Sequence, residues 1–210
     1  MQAHGIIAGL GNPGQEYFRT RHNLGFMLVD GLLIQARDKG GGAEKLSAPR
    51  QKFELWKAWL APLPSLPWLL LKPLTYMNLS GEAVRQVLAY YQLKPNDLLV
   101  AHDEMDLPLG RMRFKLGGGA AGHKGVLSIE QALGSGDFYR LRLGIGKKNT
   151  HDAVSYVTSS FAPGEQSVLE EVLQAACSFL PCFVETDFEE MRRRINSFRP
   201  ASRQETPATN

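Results

Sequence analysis

The stretch H-G-I-I-A-G-L-G-N-P-G, His4 to Gly14, decides how this chain is read. A short apolar run stops abruptly at Gly-Asn-Pro-Gly, the pattern of a buried strand entering a turn. The same stretch contains a literal G-x-G-x-x-G, Gly9 to Gly14, the spacing of a dinucleotide-binding loop. That loop makes two demands. Its helix must start within the glycines, so that the helix N-terminus meets a pyrophosphate. A second strand must end in an acid about 20 residues on. Neither demand is met. Leu24, Met27, Leu28 and Leu32 recur at helical spacing only from Asn23, and that helix runs to Arg37 with Asn23 as its expected cap. Asp30 falls inside the helix, away from any strand tip. Pro13 removes an N–H that a phosphate cradle would use. A nicotinamide oxidoreductase is therefore disfavoured. A tight turn accounts for the glycines but leaves Asn12 unexplained.

Working outward, Asp38 to Pro49 reads as a glycine-rich loop. Gln51 to Ala61 alternates as a strand, and after P-L-P-S-L-P the segment from Trp68 to Pro73 is a second strand, so the two predict a hairpin. Ser80 is placed to cap a helix through Tyr91, with Ala83, Val84, Val87, Leu88 and Tyr91 on one face. Asp97 to Glu104 reads as a strand ending in acidic residues, with His102, Asp103 and Glu104 at its end. Gly110 to Leu116 alternates. The glycines from Gly117 to Gly122 form a loop before a helix starting near Gly122, and Tyr139 to Gly146 is another strand. Two helices follow Pro163. Strands and helices alternate without internal repeat, which predicts an α/β domain with a central sheet covered by helices. The domain is expected over residues 1–198, with 199–210 a polar, disordered tail.

Composition sets the outer limits. The 210 residues are 43% hydrophobic and 21% charged, enough to bury a core in one domain. The net charge of +3 is too mild to demand a polyanionic partner by itself. Cys177 and Cys182 are too few for a disulfide scaffold. No apolar run reaches the ~18 residues of a membrane span, and no signal peptide opens the sequence. A cytoplasmic location is expected.

Polar residues gather where strands end, which is where sites form in open α/β sheets. Asn12 follows the first strand, His22 and His123 precede helices, Asn78 precedes the Ser80 helix, and Asp103 follows a strand. A histidine held by a carboxylate is a general base for water. An amide near a helix N-terminus stabilises an oxyanion. Sequence order does not say which histidine meets which carboxylate. Between Gly110 and Asn149 lie Arg111, Arg113, Lys115, Lys124, Arg140, Arg142, Lys147 and Lys148 against only Glu130 and Asp137. Arg113 and Lys115 share one strand face, as do Arg140 and Arg142 on another. Two basic stripes point to a phosphate-bearing partner, nucleic acid above all.

Four stretches then converge: A-G-L-G-N-P-G-Q-E-Y-F-R-T-R-H-N-L-G-F from Ala8, L-L-K-P-L-T-Y-M-N-L-S-G-E-A-V from Leu70, L-V-A-H-D-E-M-D-L-P-L-G-R-M-R-F-K-L-G-G-G-A-A-G-H-K-G from Leu99, and F-Y-R-L-R-L-G-I-G-K from Phe138. Together they resemble the bacterial-type peptidyl-tRNA hydrolases. The resemblance implies a single α/β domain with a central mixed, twisted β-sheet flanked by α-helices, acting as a monomer without metal or organic cofactor. It implies hydrolysis of the ester joining a peptide to the 3′ end of tRNA. His22 then resembles the base that activates water and Asp103 its orienting carboxylate. Asn12 resembles the amide that tells blocked peptidyl substrates from free aminoacyl ones, and Asn78 the amide that holds substrate near the scissile ester. Tyr17, Tyr76 and His123 resemble positions around the tRNA 3′ CCA end and the peptide. Arg113, Lys115 and Arg142 resemble positions that meet tRNA phosphate. Lys124 departs from the pattern, since many members carry Asn there, and it is kept as a substrate contact. The loop before it also has alanine where a second histidine is usual. A non-catalytic RNA-binding relative on the same fold is the competing reading. It predicts loss of the polar set, yet His22, Asp103, Asn12 and Asn78 are all present.

Overall fold

The computed structural model describes residues 3–38, 40–47, 51–60, 66–146, 152–184 and 186–203. Lys147 and Lys148 lie outside them, as does the tail beyond residue 203. Seven strands form one sheet: β1 (Ile6–Gly9), β2 (Ala43–Lys45), β3 (Phe53–Ala58), β4 (Trp68–Pro73), β5 (Leu98–Glu104), β6 (Met112–Leu116) and β7 (Tyr139–Gly144). Their spatial order is β2-β3-β4-β1-β5-β7-β6. The central four, β4, β1, β5 and β7, are parallel. The flanking pairs β2–β3, β3–β4 and β6–β7 are antiparallel. The sheet is therefore mixed, and β3 and β4 form the expected hairpin. Residues 43–45, expected in a loop, pair instead as an edge strand because Leu46 N–H and the β2 backbone find partners along β3.

Helices cover both faces. α1 (Leu24–Asp38), α5 (Gln166–Phe179) and α6 (Phe188–Ser197) lie on one side, and α2 (Ser80–Tyr91) and α3 (Lys124–Leu133) on the other, with the short α4 (Ala153–Val157) near the sheet's end. Period-2 alternation divides β1 between the layers. Ile7 joins Leu28, Val29, Leu32, Leu141 and Val172 on the first face. Ile6 and Ala8 join Leu69, Leu71, Val84, Val87 and Ile129 on the second. A strand buried on both faces needs a continuous apolar run, which is why I-I-A, W-L-L-L and L-L-V-A show no polar alternation.

The glycines of the opening stretch now have a physical cause. A Cβ on Gly9 would sit 2.1 Å from the carbonyl oxygen of Gly25, and a Cβ on Gly25 would sit 2.3 Å from the Leu10 nitrogen and 2.4 Å from the Ala101 oxygen. The first turn of α1 thus presses backbone to backbone on β1 and β5. Gly14 has φ +116, which only glycine adopts without strain.

Two expected caps are corrected. Ser80 is the first residue of α2 and fully buried, its Oγ without a hydrogen-bond partner among the described residues, and Leu79 occupies the cap position with no side-chain bond. Asn23 belongs to a 3-10 turn (Arg21–Asn23) ahead of α1, and its amide is engaged elsewhere. α3 begins at Lys124, capped by His123. His102, Asp103 and Glu104 form the last three residues of β5, as the strand ending in acidic residues predicts, and all are buried. The packed chain also continues past residue 198: Ala201 and Ser202 donate their backbone N–H groups to Glu171.

Within the glycine-rich loop before α3, Ala121 is held at φ +50, a region that costs a non-glycine residue roughly 1–2 kcal/mol. Ala121→Gly removes that strain but adds freedom to the unfolded chain worth about 0.4–1 kcal/mol. The substitution is expected to leave stability unchanged or raise it by up to about 1 kcal/mol in urea unfolding, against the usual loss for Ala→Gly.

Candidate active site

The parallel strands β4, β1, β5 and β7 all end at one edge of the sheet, and the loops leaving β1 and β4 depart to opposite faces, α1 on one side and α2 on the other. A crevice opens at such a switch point. Asn12, His22, Asp103 and His123 lie at this end of the sheet.

Asn12 and Asn23 tie the loop after β1 into shape. The Asn12 backbone N–H donates to Asn23 Oδ1 at 2.8 Å, and Asn23 Nδ2 donates back to the Asn12 carbonyl at 3.0 Å. Asn12 in turn accepts the Met77 backbone N–H on its own Oδ1 at 2.8 Å. This bond joins the β1 loop to the 3-10 turn Met77–Leu79 that follows β4 and carries Asn78. It also fixes the orientation of the Asn12 amide, with the oxygen toward Met77 and the NH2 turned the other way. Asn23 is the residue holding the Asn12 loop that sequence reasoning missed. An Asn directly before a helix carries the ordinary signal of a cap, and nothing local distinguishes the two roles.

His22, Asp103 and His123 come together. His22 Nδ1 lies 2.8 Å and His123 Nε2 lies 3.0 Å from the same oxygen, Asp103 Oδ1. Asp103 is buried, with its side chain 2% exposed, and desolvation alone would raise its pKa. Electrostatic attraction to His123 and hydrogen bonds from His123 and His22 outweigh that effect and hold the carboxyl well below the usual range. An ionised carboxylate only accepts, so both rings donate to it. His123 Nδ1 is occupied on its other side, accepting the backbone N–H groups of Gly125 and Val126 at 3.2 and 3.3 Å. Its proton therefore sits on Nε2. For His22 the proton sits on Nδ1, which leaves the Nε2 lone pair of the neutral ring directed away from Asp103. The donor atoms of the three groups lie within 4.8 Å of one another, a spacing a metal ion also uses. Here they face each other along hydrogen bonds, and the cluster is complete as a proton-sharing unit.

His102 stands behind this group. Its Nδ1 donates to the Asp103 carbonyl at 2.7 Å, its ring meets that of His123 edge-on at 4.7 Å, and its Nε2 has no partner among the described residues. Complete burial, reinforced by the electrostatic effect of the neighbouring His123, pushes its pKa well below the ordinary value.

The remaining candidates are placed less uniformly. Tyr17 is half-buried in the 3-10 turn Gln15–Tyr17. Tyr76 is 59% exposed, and Asn78 is also exposed. Lys124 is exposed at the first position of α3, directly after His123. Arg113 and Lys115 on β6 stand opposite Arg142 and Arg140 on β7. The second basic stripe is corrected, because Arg140 is buried. It donates to Glu130 at 2.6 Å and to the carbonyls of Gly119 and Gly136. Arg142 is partly exposed and paired with the buried Glu104 at 2.7 Å. Burial and the charges of Arg140 and Arg142 lower the pKa of Lys115.

A neutral buried His102 has a direct thermodynamic consequence. Its folded pKa lies below its unfolded value of about 6.5, so the unfolded chain binds the extra proton as pH falls. The stabilisation is complete above pH ~6.5 and declines below it, by up to about 1.4 kcal/mol per pH unit. His102→Asn keeps a donor for the Asp103 carbonyl but does not titrate. Its stability in urea is expected to fall less steeply between pH 6.5 and 5 than that of the wild type, and equal slopes would refute the assignment.

Comparison with known proteins gives the site its family. The peptidyl-tRNA hydrolase family profile matches residues 6–205. A peptidyl-tRNA hydrolase of Nitratidesulfovibrio vulgaris is 48% identical over 202 residues, 95% of this chain and 100% of that protein. One of Thermus thermophilus is 46% identical over 192 residues, 91% of this chain and 95% of that protein. The crystal structure of peptidyl-tRNA hydrolase from Acinetobacter baumannii superposes with a TM-score of 0.84 at 33% identity, covering 96% of this chain and 99% of that one. With the match running from β1 past the last helix, this chain belongs to the peptidyl-tRNA hydrolase family.

Proposed function

We propose that His22, Asp103, Asn12 and Asn78 carry out the hydrolysis of the peptidyl-tRNA ester that defines this family. The observation that carries the assignment is the shared Asp103 oxygen, which fixes His22 with Nδ1–H toward the carboxylate and the Nε2 lone pair outward. In this reading Nε2 removes a proton from water as the water attacks the ester carbonyl, and Asp103 stabilises the imidazolium that forms. The same proton then passes to the departing ribose oxygen. An ester needs less assistance than an amide because an alkoxide departs more readily than an amine.

Asn12 offers its NH2 toward the peptide, since its oxygen is held by Met77. Asn78, one residue on, steadies the developing oxyanion. Tyr17 and Tyr76 border the 3′ CCA end and the peptide. Lys115, Arg113 and Arg142 meet phosphates of the acceptor end; Lys115, its pKa lowered by burial and then by the charges of Arg140 and Arg142, stands where an anion would be drawn. Lys124 adds a cation beside His123 and reaches toward substrate phosphate. His123 itself borders the substrate while it holds Asp103. Because the cluster is assembled from one chain, a monomer suffices. Among the described residues no helix is long and apolar enough to cross a membrane, and the reaction places the protein with translation in the cytoplasm.

Two measurements test this. Release of peptide from an N-blocked aminoacyl-tRNA is expected to fall about 10²–10⁴-fold in His22→Ala. Equal rates would remove His22 as the base, and no release by the wild type would favour the RNA-binding reading. Lys115→Ala combined with Arg142→Ala is expected to raise KM with kcat little changed. The slope of log KM against log salt should flatten by roughly 1–2. An unchanged slope would take both residues off the tRNA path.

A further inference from the structure

We infer that Arg21 is a positioning residue for the reaction, holding the His22 turn in place over Asp103 through contacts that do not involve Asp103. The inference rests on the reading of His22 as the base. Arg21 immediately precedes His22 in the 3-10 turn Arg21–Asn23. Its side chain is only 7% exposed, and its guanidinium carbon lies 4.7 Å from the centroid of the Tyr156 ring and 4.6 Å from that of Phe161. Nη2 donates to Glu165 Oε2 at 2.7 Å. The backbone is tied to the same segment: Arg21 N–H donates to the Ser159 carbonyl at 3.0 Å, and Thr20 bridges Ser160. The partners are themselves fixed. Tyr156 donates its hydroxyl to the Ile145 carbonyl just past the end of β7 at 2.7 Å, and Glu165 Oε2 also accepts the Ala162 N–H at 2.7 Å.

An arginine here is a poor choice for stability alone. Its Nε and Nη1 are buried with no hydrogen-bond partner among the described residues. A thioether or aliphatic chain would fill the slot without stranding donors. What the guanidinium adds is geometry: a flat cation lies against two rings at once and ends in a charge-assisted bond, which removes sliding and rotation together. The three residues of the turn then divide its placement. Arg21 locks it to the segment from Tyr156 to Glu165, His22 to β5, and Asn23 to the loop carrying Asn12. Loosening the first lock lets His22 drift from its alignment with water and ester, and misplacement by about 1 Å is enough to cost up to 10²-fold in rate.

The test is single-turnover peptide release from N-blocked aminoacyl-tRNA by wild type, Arg21→Met, His22→Ala and the double variant. Arg21→Met is expected to lower the rate about 10–100-fold with substrate affinity held, and to cost nothing further in the His22→Ala background. It should also shift or broaden the downfield proton resonance of His22 Nδ1–H, identified by its loss in His22→Ala. A wild-type rate in Arg21→Met, or an equal loss in both backgrounds, overturns the proposal. An unmoved resonance overturns it as well. Should Arg21→Met not fold, Phe161→Leu, which removes one ring face, is expected to give a smaller loss with the same dependence on His22. Failure of the base assignment would show separately, as full activity in His22→Ala.

Discussion

A carboxylate buried at the end of a central strand imposes a demand that the rest of the site meets. Asp103 has nearly no contact with water, and an unpaired charge in that position would neutralise itself or unfold the strand end. Two ring N–H donors from separate elements converge on it, one from the loop after β1 and one from the cap of α3. The ionised state follows from them, and so do the two tautomers. A partnerless Asp103 would protonate and lose its hold on both rings. The outward-facing Nε2 of His22 is thus a consequence of how a buried charge is compensated.

That compensation depends on backbones approaching more closely than side chains permit. Gly9 and Gly25 bring the start of α1 against β1 and β5 at distances no Cβ would tolerate, and the turn bearing His22 is the immediate entry to that helix. On the other side, Gly125 lies under Met77 and Leu10, where a Cβ would meet the Met77 sulfur at 2.4 Å. This contact seats α3, and with it His123, beside the loop from β4. Glycines that resemble a phosphate motif in the sequence therefore serve helix packing, and the anion they help to accommodate is the protein's own carboxylate.

Much of this was legible in the residues. The apolar runs marked the buried parallel strands, the hairpin β3–β4 followed from alternation and a proline-rich turn, and of the polar residues at strand ends His22, Asp103 and His123 meet while Asn78 stays exposed. What local pattern does not carry is pairing at a distance. His22 and Asp103 are 81 positions apart, and only the insertion of β1 between β4 and β5 makes them neighbours. The same limit explains the corrected caps. Asn23 and Ser80 both have a capping residue's identity and place, but tertiary contacts of Asn12 and the packing of α2 on α3 override the propensity. Arg21 carried no signal, because the rings that hold it lie over 130 residues further along the chain.

The basic surface shows the limit most clearly. Counting charges between Gly110 and Asn149 suggested two equivalent stripes, yet partners differ in kind from one arginine to the next. Arg140 is internal, neutralised by Glu130 and by loop carbonyls that belong to other segments. Arg142 is half committed, since Glu104 shares its charge while one face remains open to solvent. Lys115, Arg113 and Lys124 form no ion pair among the described residues. On the proposed reading these three, with Arg111 and the partly screened Arg142, would set the field that a polyanion meets. Lys124 is the most exposed to argument. A cation at the first position of a helix opposes the helix dipole, so its placement beside His123 is locally unfavourable until an anion arrives. On the proposed reading an asparagine there would serve substrate by neutral hydrogen bonds at any ionic strength, whereas a lysine would tie this part of recognition to phosphate and make it sensitive to salt.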